Sequence, residues 1–299
     1  MPTRLQLAFT ADLHWGARSE GDAATRLLAG FLRQRPPDVL VLAGDVGAGG
    51  HFAACLELFA DLPCRKALVP GNHDVWVTAD DPRGDSLTVY REHLPRACAE
   101  FGFHYLDAGP LLLPEADLAL VGSMNWYDYS WAIDELRRRF PGEAERLRTK
   151  RFTRGRHNDA NFVRWPHDDV SFTADAVAAL RRHLGESLAR AGQAIVVTHH
   201  PPFYGLGFPR PFPPTSLDGL LWDAFCGNRS AEALLWEHRG RVPFALCGHT
   251  HRERENNLGP IRGYNIGGDY HYKRLLLLDW PAGEVIAHQF GDPNAVQSA

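Results

Sequence analysis

Five short apolar runs, each ending abruptly in carboxylate, carboxamide or imidazole residues, constrain this chain more than any other feature. Leu5–Thr10 leads into Asp12 and His14, and Val39–Ala43 into Gly44 and Asp45. Residues 67–69 lead, through Pro70, into Gly71, Asn72, His73 and Asp74. Residues 194–198 lead into His199 and His200, and residues 244–246, through Cys247, into Gly248, His249 and His251. Runs this short and uniformly apolar, bounded by Gly and Pro, are what strands covered on both faces look like. Between the first three lie stretches with helical spacing, 23–35 (Leu27, Leu28, Phe31, Leu32) and 51–62 (Phe52, Cys55, Leu56, Phe59). Strand–helix alternation predicts an α/β fold with parallel strands and covering helices. In open α/β sheets ligands gather beyond the carboxyl ends of the strands. Every polar cluster here falls at such an end.

The remainder of the chain reads differently. Residues 123–170 are charged and helical in composition with little apolar periodicity, and are expected to form an inserted helical cap near the site, within one domain spanning 1–299. Residues 172–191 carry Val177, Leu180, Leu184 and Leu188 at amphipathic-helix spacing, feeding the 194–198 strand. Residues 201–214 hold six prolines and four aromatics, which predicts a stiff loop. The segments PIRGYNIGG, YKRLLLLDW and EVIAHQF read as closing strands in antiparallel hairpins.

Composition sets the broad class. With 299 residues and 44% hydrophobic content the chain can bury a sizeable core, and a net charge of -4 argues against a generally basic nucleic-acid binder. Cys55, Cys64, Cys98, Cys226 and Cys247 are odd in number and scattered, as reduced thiols are, and no apolar run approaches the length of a membrane span. A cytoplasmic protein that does not enter membranes is the expectation, with oligomeric state open.

The clusters Asp12-x-His14, Gly44-Asp45, Gly71-Asn72-His73-Asp74, His199 and Gly248-His249-Thr250-His251 offer nitrogen and oxygen donors and no thiolate. Such a set suits Mn, Fe(II) or Zn rather than Cu(I) or an iron–sulfur cluster. Seven donors are too many for one tetrahedral ion, and about right for two ions that share a carboxylate and keep open positions. A single His or Asp at a strand end is usually a turn former, a reading that five such ends in one chain strain.

The ordered series DxH, GD, GNHD, H, GHxH resembles the calcineurin-like metallophosphoesterases from residue 5 to about 280, and NIGG at 265–268 is similar to the segment that follows GHxH in many members. The resemblance implies a four-layer αββα sandwich with a dinuclear metal centre. By it, Asp12, His14 and His251 would hold one metal, Asn72, His199 and His249 the other, and Asp45 would bridge them. His73 would be the catalytic histidine, assisting the leaving group after in-line attack by a metal-bridging hydroxide, with Asp74 orienting it. The two divalent ions are expected to be Mn or Fe, with Zn as the alternative.

Departures from subfamily patterns narrow the substrate. GD is followed by Val46, Gly47 and Ala48 rather than Asp-Arg-Gly, the later motif is GNHD rather than GNHE, and Ala48 stands where purple acid phosphatases carry tyrosine. The combination most resembles the phosphodiesterase branch, acting on a small or nucleotide-like phosphoester. A phosphomonoesterase, a nuclease with the same centre, and a non-catalytic interaction module are the alternatives, in descending order. Trp126, Tyr127, Tyr129 and Trp131 either stack on a base or pack the cap on the core. Phe203 and Tyr204, with Phe208 and Phe212, are candidates for a pocket rim. The nine basic residues between Arg137 and Arg156 either attract a polyanion or form a solvated helix face.

Overall fold

The structure, a computed structural model, describes residues 3–208 and 214–292; Phe212 lies outside them. Twelve strands are described: β1 (Leu5–Thr10), β2 (Val39–Ala43), β3 (Arg65–Val69), β4 (Phe103–Tyr105), β5 (Leu111–Leu113), β6 (Leu118–Ser123), β7 (Gln193–Thr198), β8 (Phe244–Cys247), β9 (Arg254–Leu258), β10 (Ile261–Asn265), β11 (Lys273–Trp280) and β12 (Glu284–Phe290). They form two six-stranded sheets, ordered β12-β11-β1-β2-β3-β4 and β5-β6-β7-β8-β10-β9.

Period-two alternation explains why the core strands are apolar throughout. On β2, Val39, Val41 and Ala43 point between the sheets, where they meet Ile195 and Val197 of β7. The intervening Leu40 and Leu42 pack beneath Leu28 and Leu32 of the helix Ser19–Gln34 and Phe52 and Leu56 of the helix His51–Glu57. Behind the second sheet, Ala194 and Val196 meet Val177, Leu180 and Leu184 of the helix Asp169–Leu188 and Leu234 and Leu235 of the helix Arg229–Glu237. The result is the αββα sandwich. The sheets come so close at β6 that a Cβ on Gly122 would lie 2.4 Å from Val69 Cγ1.

Strands β1 to β4 run parallel, as do β6, β7 and β8, so their carboxyl ends converge on one edge of the sandwich. The expectation of antiparallel closing hairpins holds for β11 with β12 and for β9 with β10. On its other side β10 runs parallel to β8. Between β6 and β7 lie the short helices Ile133–Arg139, Glu145–Thr149 and Asp159–Phe162. Leu136, Leu147 and Phe152 from this stretch are buried in one cluster with Leu220 and Leu221 of the helix Leu217–Ala224. Among the described residues no helix is long and apolar enough to cross a membrane.

Candidate metal centre

Each expected donor sits in the first residues after a strand of the converging edge, and the loops are laced together by backbone. Asp12 N–H donates to Gly44 O at 3.0 Å, His14 N–H to Asp45 O at 2.8 Å, and Gly248 N–H to His199 O at 3.1 Å. Among the described residues, nine non-glycine positions have positive φ, and five of them are Asp12, His14, Asp45, His249 and His251. Left-handed backbone costs about 1 kcal/mol at each such residue, so the strain is concentrated where the donors are presented. Two glycines make room for them. A Cβ on Gly44 (φ +88°) would lie 2.4 Å from His199 Nδ1, and one on Gly71 would lie 2.1 Å from Asp45 Oδ1.

One ligand atom from each of Asp12, His14, Asp45 and His251 lies within 4.8 Å of the others. Within that group His14 Nε2 is 2.9 Å from His251 Nε2 and 3.7 Å from Asp45 Oδ2, and His251 Nε2 is 3.7 Å from Asp12 Oδ1. The other Asp45 oxygen faces a second group: His199 Nε2 is 3.4 Å from Asp45 Oδ1 and 3.1 Å from Asn72 Oδ1, and His249 Nδ1 is 3.3 Å from that same amide oxygen. Asp45 thus turns one oxygen to each set of donors. The ring of His199 is pinned by Nδ1 at 3.0 Å from Ala43 O, which aims Nε2 at the oxygens of Asn72 and Asp45.

The donor set fits metal ions by its unmet charge. Asp12 Oδ2 is buried with no hydrogen-bond partner, although leaving a carboxylate oxygen unsatisfied is costly. Burial pushes Asp12 up to about 7, with neighbouring Asp45 adding to the shift. Burial also holds His14 and His249 well below the ordinary histidine range and His251 down to about 4, so these rings are neutral and have lone pairs to give. His199 is the exception: burial would lower it, but Asp45 raises it to about 9, a proton answering the carboxylates where a cation is wanted.

His73 stands beside this group, with Nε2 3.8 Å from Asp45 Oδ2 and its ring stacked on Trp76 at a centroid distance of 3.5 Å. Burial lowers its pKa despite the nearby carboxylate. The expected pairing with Asp74 is not what the structure contains. Asp74 accepts backbone N–H bonds from Gly47 at 2.9 Å and Gly71 at 2.8 Å, so it braces the two loops beneath the donors instead. Trp126 and Tyr127 are fully buried, packed on His200 from below, and offer no face to a substrate. Phe203 is also buried, against Gly263, and the Tyr204 hydroxyl donates to Asp223 at 2.7 Å; neither lines the cavity over the donors.

That cavity, about 440 Å³, has Asp45, His73, His249 and His251 at its floor and Trp76 and Tyr270 beside them. Three residues that the sequence motifs do not mark matter here. Trp76 is the platform for His73, and Tyr270 stacks on His14 at 4.3 Å. Asp159, from the stretch between β6 and β7, accepts bonds from Asn72 Nδ2 at 2.9 Å, Trp76 Nε1 at 2.9 Å and the Tyr127 hydroxyl at 2.8 Å. Burial opposes its charge, but His157 and these donors keep it well below the usual carboxylate range. By holding the Asn72 amide nitrogen it turns the amide oxygen toward His199 and His249, and through Trp76 it also fixes the plane on which His73 stacks. No local pattern identifies Asp159; the only hint is an acid in a stretch otherwise rich in Arg.

Asp159→Asn must leave at least one of these donors unpaired or turn the Asn72 amide. Manganese affinity, read by titration calorimetry, is expected to fall about 10–100-fold. Unchanged affinity would show that Asn72 is held by other means.

The family model described as calcineurin-like phosphoesterase matches residues 5–253. Among solved structures, the chain is similar to a phosphopantetheinyl hydrolase from Mycobacterium tuberculosis, with TM-score 0.70 and 21% identity, covering 89% of this chain and 90% of that one. It is also similar to TT1561 of Thermus thermophilus (TM-score 0.55, 12% identity, 96% and 99% covered) and to a dimetal phosphatase from Danio rerio (TM-score 0.54, 12% identity, 97% and 100% covered). These likenesses are of fold. No curated protein matches the chain in sequence.

Proposed function

Because the chain belongs to the calcineurin-like phosphoesterase family, with a buried cluster of Asp and His donors at its centre, we propose that it hydrolyses phosphodiesters of small, nucleotide-like molecules. The observation that supports a diester is the cavity. It extends from the donors to aromatic walls at Phe152, Phe208 and Trp222, giving room for a second ester arm that a monoester lacks.

In this reading Asp12, His14 and His251 would hold one divalent ion and Asn72, His199 and His249 a second, with Asp45 serving both, and Mn or Fe favoured over Zn. Bound there, the ions supply Lewis acidity, which acidifies water and offsets charge on phosphorus-bound oxygens. The chain's own contribution begins with positioning: the strained loops present the donors, and Asp159 and Ala43 fix two of them in orientation. His73 is neutral at rest. An anionic phosphodiester entering the cavity favours its protonated form, and its N–H then donates to the leaving oxygen as a water oxygen bonds to phosphorus and the ester P–O bond breaks, so the leaving group departs as the alcohol. The 123–170 segment acts as a cap that walls the cavity. We place the protein in the cytoplasm, where Cys55, Cys64, Cys98 and Cys247, all free thiols, stay reduced.

The manganese-loaded protein should cleave bis(p-nitrophenyl) phosphate faster than p-nitrophenyl phosphate. Faster monoester cleavage would keep the metal centre and overturn the diesterase assignment. Cyclic nucleotides and, in view of the activity named for the mycobacterial structure, phosphopantetheinyl esters are the next substrates to screen.

A further inference from the structure

The basic stretch from Arg137 to Arg156 divides into two parts. Most of its charges are already answered: Arg138 pairs with Glu135, Arg146 with Glu143, and Arg148 with Glu145, each three residues apart, while Lys150 pairs with Asp169. Arg137 and Arg151 have no such pair among the described residues but do not line the cavity over the donors. Arg139 is spent on the backbone carbonyls of Pro214 and Thr215. Arg154 and Arg156 are different. Both are exposed, both line the cavity over the metal donors, and among the described residues neither has a carboxylate partner. Arg156 commits only its Nε, to Thr149 O at 3.4 Å.

They are also held in place. Residues 151–156 form a tight turn, closed by a bridge between Arg151 and Arg156 and by Phe152 N–H donating to Gly155 O at 3.1 Å, with Gly155 at φ +79°. Thr153 anchors the turn to the helix Leu217–Ala224, donating from its backbone N–H to Asp218 at 2.8 Å and from its hydroxyl at 2.5 Å. Phe152 stacks on Trp222 of the same helix at 4.6 Å. Two guanidinium charges without a carboxylate, on an anchored turn beside an aromatic wall and facing a cavity, are arranged to receive an anion.

We propose that Arg154 and Arg156 form a second anion subsite, and that the substrate carries a further phosphate on the ester arm that reaches toward the 151–156 turn. This rests on the phosphodiesterase reading: the scissile phosphoryl group belongs at the metal donors, so guanidinium groups on a turn anchored to the helix Leu217–Ala224, apart from the donor loops, serve a different group. The same division of charge disfavours a nucleic-acid track, since two arginines do not follow a polyanion backbone.

Two substrates that differ in one phosphate test the proposal: thymidine 5′-(p-nitrophenyl phosphate) and its 3′-phosphorylated form, assayed with the manganese-loaded enzyme. The wild type is expected to show a KM about tenfold lower for the 3′-phosphorylated substrate, with little difference in kcat. In Arg154→Ala/Arg156→Ala the two KM values should converge, while the KM for the unphosphorylated substrate stays put. The wild-type preference should also shrink at high salt. Equal KM values in the wild type, or a preference that survives the double variant, would overturn the subsite.

A binding arm separates this from failure of the diesterase reading. Thymidine 3′,5′-bisphosphate should bind the wild type more tightly than thymidine 5′-monophosphate by calorimetry, and the double variant should lose the difference. If that pattern holds while neither ester is cleaved, the subsite stands and the diesterase assignment falls. Binding of a single-stranded 20-mer more tightly than the bisphosphate at low salt would overturn the subsite in favour of a polyanion surface.

Discussion

Asp45→Asn is expected to reduce bound metal below two ions per chain and to lower turnover by about a thousand-fold or more, some 4 kcal/mol of barrier. The size follows from what one side chain does in this position. Asp45 Oδ2 faces His14 at 3.7 Å and Oδ1 faces His199 at 3.4 Å, so this carboxylate is addressed to both groups of donors. Oδ1 also accepts the His73 backbone N–H at 2.9 Å, tying the loop after β3 to the loop after β2. Asparagine keeps the shape and one acceptor oxygen but removes the charge and turns an N–H₂ toward one set of donors. Metal content by mass spectrometry of the desalted protein, measured beside circular dichroism to check the fold, reads the effect directly. Two ions per chain with full activity would contradict a shared role for Asp45.

His73→Ala should behave in the opposite way on metal and similarly on rate. Its ring lies beside the donors, stacked on Trp76 with 17% of its side chain exposed, and its closest approach to Asp45 is 3.8 Å. Removing it leaves the two donor groups complete, so both ions should be retained. Turnover of bis(p-nitrophenyl) phosphate should fall about 10²–10⁴-fold, the usual contribution of a positioned acid. The loss should be smaller for substrates whose leaving group is a good one, since these need the proton least. Loss of an ion in this variant would mean that His73 is a ligand and that one of the seven donors has been wrongly assigned.

The strand ends are legible in the sequence because two signals coincide there: a strand buried on both faces must be apolar at every position, and a functional loop must be polar at once. Val39–Ala43 followed by Asp45 carries both. Strand β9, Arg254–Leu258, carries neither, since it is a polar edge strand paired on one side only, and no sequence pattern marks it. The parallel pairing of β10 with β8 is equally hidden, because pairing is a long-range choice that a local pattern does not encode. Side-chain direction marks a second boundary. Trp126 and Tyr127 are aromatic residues next to a strand end, as substrate-stacking residues are, yet the backbone turns both beneath His200. Asp74 is adjacent to His73 in sequence and points to the loop amides. Asp159 reaches Asn72 across 87 residues, a contact that only the folded chain brings about.

Strand β1 supplies Asp12 and His14 and lies inside its sheet, with β2 on one side and β11 on the other. The β2 side can form early, but Leu5 pairs with Trp280 and Phe9 with Leu276, residues made much later. During synthesis on the ribosome β1 therefore stays an open edge until β11 has been made, with its N–H and C=O groups unclaimed on one side. Such an edge invites pairing with the same strand of a neighbouring nascent chain. The β11–β12 hairpin thus does more than extend a sheet: its arrival seals a strand made long before it, which makes it the nascent chain's protection for the strand that carries Asp12 and His14.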